Sequence, residues 1–218
     1  MIDPQQRTST EAGRTPVPAW SSRVCCFTPG TIVATPAGER PVEDLKAGDA
    51  IVTRDHGIQK IRWHGRKDVS SALVAKAPQL QPVRIGAGAL GNGLPERDMV
   101  VSPNHRMLLV GRQADPCLQD DEVLVAARHL VSASKGIGRL RAGGVSYIHF
   151  MCDKHEIVRA DGVWTESFQP SDEAIKGLGS AQRTEIFEIF PNLRTSTGRA
   201  AYVAARKSPR ASEVAVLH

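Results

Sequence analysis

Few residues in this chain can do covalent chemistry. Cys25 and Cys26 are adjacent and run directly into Phe27-Thr28-Pro29-Gly30-Thr31, a turn sequence that opens a β-branched run. A thiolate is a strong nucleophile, but a thiol with a pKa of about 8.5 is only a few per cent ionised at neutral pH. A proton acceptor or donor has to assist it, and histidine, titrating near pH 6.5, suits both tasks. His105 ends the tetrad Ser102-Pro103-Asn104-His105, and a later group holds His149, Cys152, Asp153 and His155.

These residue types are compatible with several chemistries. His149-x-x-Cys152-x-x-His155 has ligand types that zinc accepts, with Cys117 or His129 available as a fourth. Side chains alternate faces along a strand, however, so His149 and His155 would share one face while Cys152 pointed to the other. That spacing suits zinc poorly, and no metal is expected. Cys26 and His105 could form the dyad of a cysteine protease. A nucleophile that opens a strand rather than a helix argues against that role. A Cys25–Cys26 disulfide would strain the intervening peptide and switch the nucleophile off.

The elements that must position these groups are short. Runs such as Thr31–Thr35, Ala50–Arg54, Met99–Ser102, Arg106–Gly111, Glu122–Arg128, Ser146–Met151 and His155–Phe168 are rich in β-branched or aliphatic residues. Glycine-bearing turns separate them, at Gly38, Gly48, Gly57, Gly86, Gly88 and Gly162. Many short strands at regular spacing predict an all-β domain. Residues 1–22 are polar and proline-rich and read as a flexible N-terminal tail. Residues 23–170 form the β domain. Residues 171–218 are a C-terminal extension with one amphipathic helix near 180–190, capped by Ser180, with Ile186, Phe187, Ile189 and Phe190 on its apolar face. From Arg194 to His218 the sequence is basic and rich in small residues and reads as loosely held.

Composition narrows the function classes. The chain has 218 residues, a net charge of +5 and only 5% aromatic residues. Its arginines are dispersed, with no basic run interleaved with aromatics, so no nucleic-acid partner is expected. Four cysteines are too few for a disulfide framework at this length. No apolar window is long enough to span a membrane, and residues 1–20 lack the apolar core of a signal peptide. The expectation is a cytoplasmic protein, or one exported without such a signal.

Taken in order, Cys26-Phe27-Thr28-Pro29-Gly30-Thr31, Arg40-to-Asp49, Arg62-to-Arg66, Leu90-to-Asp98, Ser102-to-Arg106 and His155-to-Phe168 resemble the Hint family, the module shared by hedgehog autoprocessing domains and inteins. The resemblance is closest to its bacterial stand-alone branch and covers about Val24 to Pro170. It implies an all-β, curved Hint (hedgehog/intein-like) fold with an internal pseudo-two-fold.

The resemblance also implies a reaction. The thiol of Cys26 would attack the carbonyl of Cys25, turning the Cys25–Cys26 peptide bond into a thioester by an N-to-S acyl shift. A thioester lacks amide resonance, so the fold has to help, for instance through backbone distortion of about 1–3 kcal/mol. His105 would protonate the departing nitrogen, and Ser102 would supply a hydroxyl where the family keeps threonine. His155 is a possible assistant, and a structural histidine is an equal reading of it. Nothing in the sequence ranks it against His149 or Asp153. Gly30 and Thr31 would shape the turn and donate to the developing oxyanion. The substrate would be the chain's own N-terminal segment, and the acyl acceptor water or an external nucleophile, with no cofactor. Splicing is not expected, because Ser167 stands where inteins keep a cyclising asparagine. A catalytically inactive scaffold or interaction module is the alternative.

Overall fold

The glycine turns and β-branched runs give strands in almost every predicted place. The computed structural model describes residues 24–110 and 122–209, so the predicted tail and Cys117 lie outside the described residues. The chain forms β1 (Ile32–Thr35), β2 (Gly38–Pro41), β3 (Ala50–Val52), β4 (Ile58–Lys60), β5 (Trp63–Val69), β6 (Val83–Ile85) and β7 (Met99–Val101). It continues with β8 (Arg106–Val110), β9 (Glu122–Ala126), β10 (Ile137–Arg139), β11 (Val145–Met151), β12 (Ile157–Ala160) and β13 (Val163–Glu166). Four α-helices accompany them among the described residues: α1 (Ser71–Lys76), α2 (Asp172–Gly177), α3 (Ser180–Ile189) and α4 (Ser196–Ala201). The fold is all-β, with the helices concentrated after the last strand. None of them is long and apolar enough to cross a membrane.

The largest sheet has six strands in the order β2-β1-β12-β13-β8-β9, so the first strand pairs with the next-to-last, β12. The long β5–β11 ribbon pairs Trp63 with Met151 and Gly65 with His149. Between the sheets lies an aliphatic core built on Val33, Ile51, Ile85, Met99, Val101 and Val158, with Phe27 and Phe150 stacked at 5.5 Å between ring centroids. Low aromatic content is met by close packing of branched aliphatics, which suit pleated surfaces.

The C-terminal extension differs from the sequence expectation beyond the helix. Helix α3 falls where predicted, but Gly179 is its N-cap and makes no side-chain bond, with Ser180 already the first helical residue. Ile186 is buried, whereas Ile189 is exposed. The segment from Pro191 to Pro209 is held rather than loose. Leu193 is fully buried, the Tyr202 hydroxyl donates to Cys152 O at 2.9 Å, and Leu124 N–H donates to Lys207 O at 2.9 Å, covering part of the β9 edge. Free edge amides seek partners, and this strap supplies one. Arg206 fixes it further, pairing with Asp55 at 2.8 Å and with Glu122 at 2.7 Å.

Candidate active site

The paired cysteines enter the fold through backbone pairing. Phe27 bridges Val101 of β7 and Ile148 of β11. It donates to Ile148 O at 2.8 Å and accepts from Ile148 N–H at 2.9 Å, and Ser102 N–H donates to Cys26 O at 2.9 Å. The extended segment before the turn is thereby wedged between two sheets. Val24, Cys25 and Cys26 are all buried, and both cysteines are free thiols. Trp63, Tyr147, Phe168, the helical residues Ile175 and Ile186, and Leu178 just after α2 surround them in one apolar cluster. The C-terminal helices therefore help to bury the Cys25–Cys26 peptide.

Each reactive atom of Cys26 has its own partner. The amide N–H donates to Ser102 Oγ at 2.9 Å, and Ser102 Oγ donates in turn to Val24 O at 2.9 Å. The sulfur lies 3.3 Å from Nδ1 of His149. Sequence spacing gave no preference for His149, which sits 123 residues away. It reaches Cys26 because β11 pairs with Phe27 and carries the ring one residue past Ile148. The ring is held by stacking on Trp63 at 5.0 Å and by Phe168 at 5.5 Å. Gly65 opposite makes this possible: a Cβ there would sit 2.5 Å from the Trp63 ring and 2.8 Å from His149 Nε2.

His105 lies on the other side of Phe27, its ring 4.4 Å from the Phe27 ring between centroids. Its backbone N–H donates to Ser102 O at 3.0 Å, closing the turn that carries both residues. The Thr165 hydroxyl donates to Arg106 O at 2.7 Å, so its oxygen accepts from Nε2–H of His105, also at 2.7 Å. That assignment leaves Nδ1 of His105 as a buried lone pair without a partner, and Nε2 of His149 is likewise unpartnered. A buried ring atom without a partner marks either strain or a functional vacancy.

Burial governs the protonation of this site. It pushes both cysteine thiols up and lowers His105 to about 4 and His149 to about 3. At neutral pH the site therefore holds neutral thiols and neutral imidazoles, the least costly state in a medium that solvates ions poorly.

His155 has a different neighbourhood. Its Nδ1 accepts from Ala205 N–H at 3.0 Å, and its Nε2–H donates to Glu166 Oε2 at 3.1 Å. Glu166 also accepts from Arg106 N–H at 2.8 Å and from the Arg106 side chain at 2.7 Å. Against the upward push of burial, Arg106 and His155 hold its carboxyl at about 2. His149 and His155 part company because β11 stops at Met151 and the chain turns before β12, so strand alternation does not run through both. Among the described residues no set of three His, Cys, Asp or Glu side chains converges as metal ligands. Gly30 and Thr31 lie in the turn. Gly30, with φ +88°, donates its N–H to the Glu43 carboxylate at 2.9 Å. Thr31 donates both N–H and hydroxyl to Thr28 O, at 3.3 and 2.9 Å. Their amides are engaged there rather than at the Cys25 carbonyl. Asp153 pairs with Arg62 at 2.7 Å on the surface.

Among solved structures, the chain is similar to a bacterial intein-like domain from Clostridium thermocellum, with 14% identity and a TM-score of 0.42 over 65% of this chain and 97% of that one. It is similar also to the Ssp DnaB mini-intein variant M86, with 12% identity and a TM-score of 0.40 over 68% and 96% of the two chains. For the gp41-1 intein the identity is 11% and the TM-score 0.37, over 65% and 97%. No curated protein matches the chain. The Hint domain family model matches residues 25–172, beginning at the first of the paired cysteines and covering more than half of the sequence. The chain belongs to the Hint domain family.

Proposed function

We infer that this domain cuts its own chain between Cys25 and Cys26, by an N-to-S acyl shift at Cys26 followed by release of the acyl group and without splicing. The observation that carries the reading is the separate engagement of the two atoms that must exchange a proton. Sulfur faces Nδ1 of His149 at 3.3 Å, while the peptide nitrogen of the same residue is held by Ser102 at 2.9 Å. As sulfur bonds to the Cys25 carbonyl carbon, its proton passes to Nδ1 of His149. The C–N bond breaks as that proton passes on from Nδ1 of His149 to the nitrogen of Cys26, which Ser102 orients. An imidazole held at about 3 keeps a proton only fleetingly and yields it readily to an amine. The sum is one proton moved from sulfur to nitrogen, so the buried site begins and ends neutral.

Two features support cleavage without splicing. Ser167 has no side-chain amide, so it cannot close the cyclic imide that frees a downstream segment. It is instead held in the backbone ladder, exchanging 2.9 Å bonds with Glu156 through both its amide and its hydroxyl. The substrate on this reading is the segment that ends at Cys25.

Hydroxylamine tests the reading directly, because it captures a thioester but leaves amides intact. Freshly expressed protein at neutral pH should release the segment ending at Cys25 as a hydroxamate, seen by mass spectrometry. Cys26→Ala should abolish release. An intact mass in the wild type under these conditions would overturn the reading in favour of a scaffold.

A further inference from the structure

A cavity of about 540 Å³ lies beside the Ser102–His105 turn, against β9. Pro103, Leu124 and Ala126 give it an apolar side. Arg128 and Arg139 stand on its wall, and both are exposed. Among the described residues no carboxylate lines it. Neither Cys26 nor His149 borders this space, so the acyl shift leaves it unused.

The backbone places these guanidiniums. Arg128 sits in the 3₁₀ turn after β9, where its N–H donates to Pro103 O at 2.9 Å and Ala127 N–H donates to His105 O at 2.8 Å. Arg139 ends β10, and the next residue, Leu140, donates its N–H to Pro82 O at 2.8 Å. The Arg139 guanidinium reaches Pro78 O only at 3.5 Å. Arg106 also borders the cavity, but Glu166 answers its charge and Ser208 takes one of its Nη1 hydrogens. His129 shares the wall. Its Nε2 accepts from Arg128 Nε–H at 3.0 Å, so its hydrogen sits on Nδ1, which has no partner among the described residues. The wall is rich in donors and poor in acceptors, the pattern an anion requires.

Charge and size together define the anion. Guanidinium forks match the oxygens of phosphate and carboxylate. Arg128 and Arg139 together suit a doubly charged phosphate better than a single carboxylate. The volume falls within the range of small-molecule sites, about 300–1,000 Å³. A bare phosphate would leave Leu124 and Ala126 uncovered. We propose that this cavity binds a phosphate monoester with a small apolar body, its phosphate on Arg128 and Arg139 and its body against Leu124 and Ala126. The site does not depend on the cleavage reading above.

Isothermal titration of the whole chain at pH 7.5 tests this, with phenyl phosphate, inorganic phosphate and benzoate compared at one ionic strength set by chloride. Phenyl phosphate should bind about tenfold or more tightly than inorganic phosphate, which lacks the apolar body, and than benzoate, which lacks the second charge. At ten times its Kd it should raise the thermal midpoint by about 3–6 °C. Arg139→Gln and Arg128→Gln should each weaken it about tenfold or more. Lys67→Gln, an equal loss of charge at an exposed position on β5, should leave binding unchanged. If Arg128→Gln does not fold, Arg139→Gln decides alone. Three results would each overturn the proposal: no binding of phenyl phosphate, unchanged affinity in the folded arginine variants, or inorganic phosphate or benzoate binding as tightly as the ester, which would mean an adventitious ion only.

Discussion

Cys26 and His149 meet at 3.3 Å between Sγ and Nδ1, although 123 residues separate them. Both groups are buried and uncharged at neutral pH, so the contact is a thiol–imidazole hydrogen bond rather than an ion pair. This favours proton movement concerted with bond formation over a standing thiolate.

Removing that ring tests its part in the chemistry. His149→Phe keeps the aromatic stack with Trp63 and Phe168 but offers sulfur no acceptor. Hydroxylamine-dependent release should fall by about 10²–10⁴-fold, the span typical of a lost general base. A rate within a few-fold of wild type, from folded protein, would remove His149 from the mechanism.

Ser102 joins two buried backbone groups, accepting from Cys26 N–H and donating to Val24 O. Ser102→Ala leaves both without partners and should cost about 1–3 kcal/mol for each stranded group. Urea unfolding measures this. Ser102→Thr retains the hydroxyl and should recover most of the loss.

Gly65 is read as a spacer for the His149 ring. Gly65→Ala forces a methyl against Trp63 and His149 at distances no Cβ tolerates. A cost of about 1–3 kcal/mol in stability is expected, together with slower cleavage. Unchanged stability would mean that Trp63 moves freely, against its 3.0 Å bond from Nε1–H to Glu185 of α3.

Acid should destabilise the fold over a defined window. In the folded chain His105 titrates at about 4 and His149 at about 3, against about 6.5 when unfolded. Between these values the unfolded chain binds protons that the folded chain excludes, so stability falls as pH drops below about 6.5. Asp161, raised to about 6 by burial, acts in the opposite sense, but one carboxyl opposes two histidines. Below about 4.5 the depressed carboxyl of Glu166 adds to the loss. The urea midpoint should decline steadily from pH 7 to pH 4. A flat profile would contradict the buried neutral histidines.

The buried Glu166 should be intolerant of single changes. Glu166→Gln removes the charge facing Arg106 and should cost about 3–5 kcal/mol, whereas replacing both with apolar residues of similar volume should cost much less. Thermal unfolding of the single and double variants compares the two.

The sequence carried much of this site because its signals are local. Phe27-Thr28-Pro29-Gly30-Thr31 requires a turn, with Gly30 at positive φ. The tetrad Ser102–His105 is a turn that presents a hydroxyl and an imidazole together, and Ser102 does bind the Cys26 amide. Alternating β-branched runs specify strands, and the whole order of motifs specifies the Hint family. His155 and the C-terminal strap were less legible. A histidine leading into a strand looks the same whether its partner is a thiol or a carboxylate.

Sequence alone thus determined that the chain is an all-β Hint domain with a cysteine at the head of its first turn, since turn chemistry and strand alternation act between near neighbours. Only the tertiary structure decided which histidine faces the sulfur, which one is tied to Glu166, and which residues after Pro170 pack over the paired cysteines. Those outcomes depend on the register of β5 against β11 and on the docking of helices after Pro170. Cross-strand register and helix docking are set by packing over more than a hundred residues, and no local spacing encodes them.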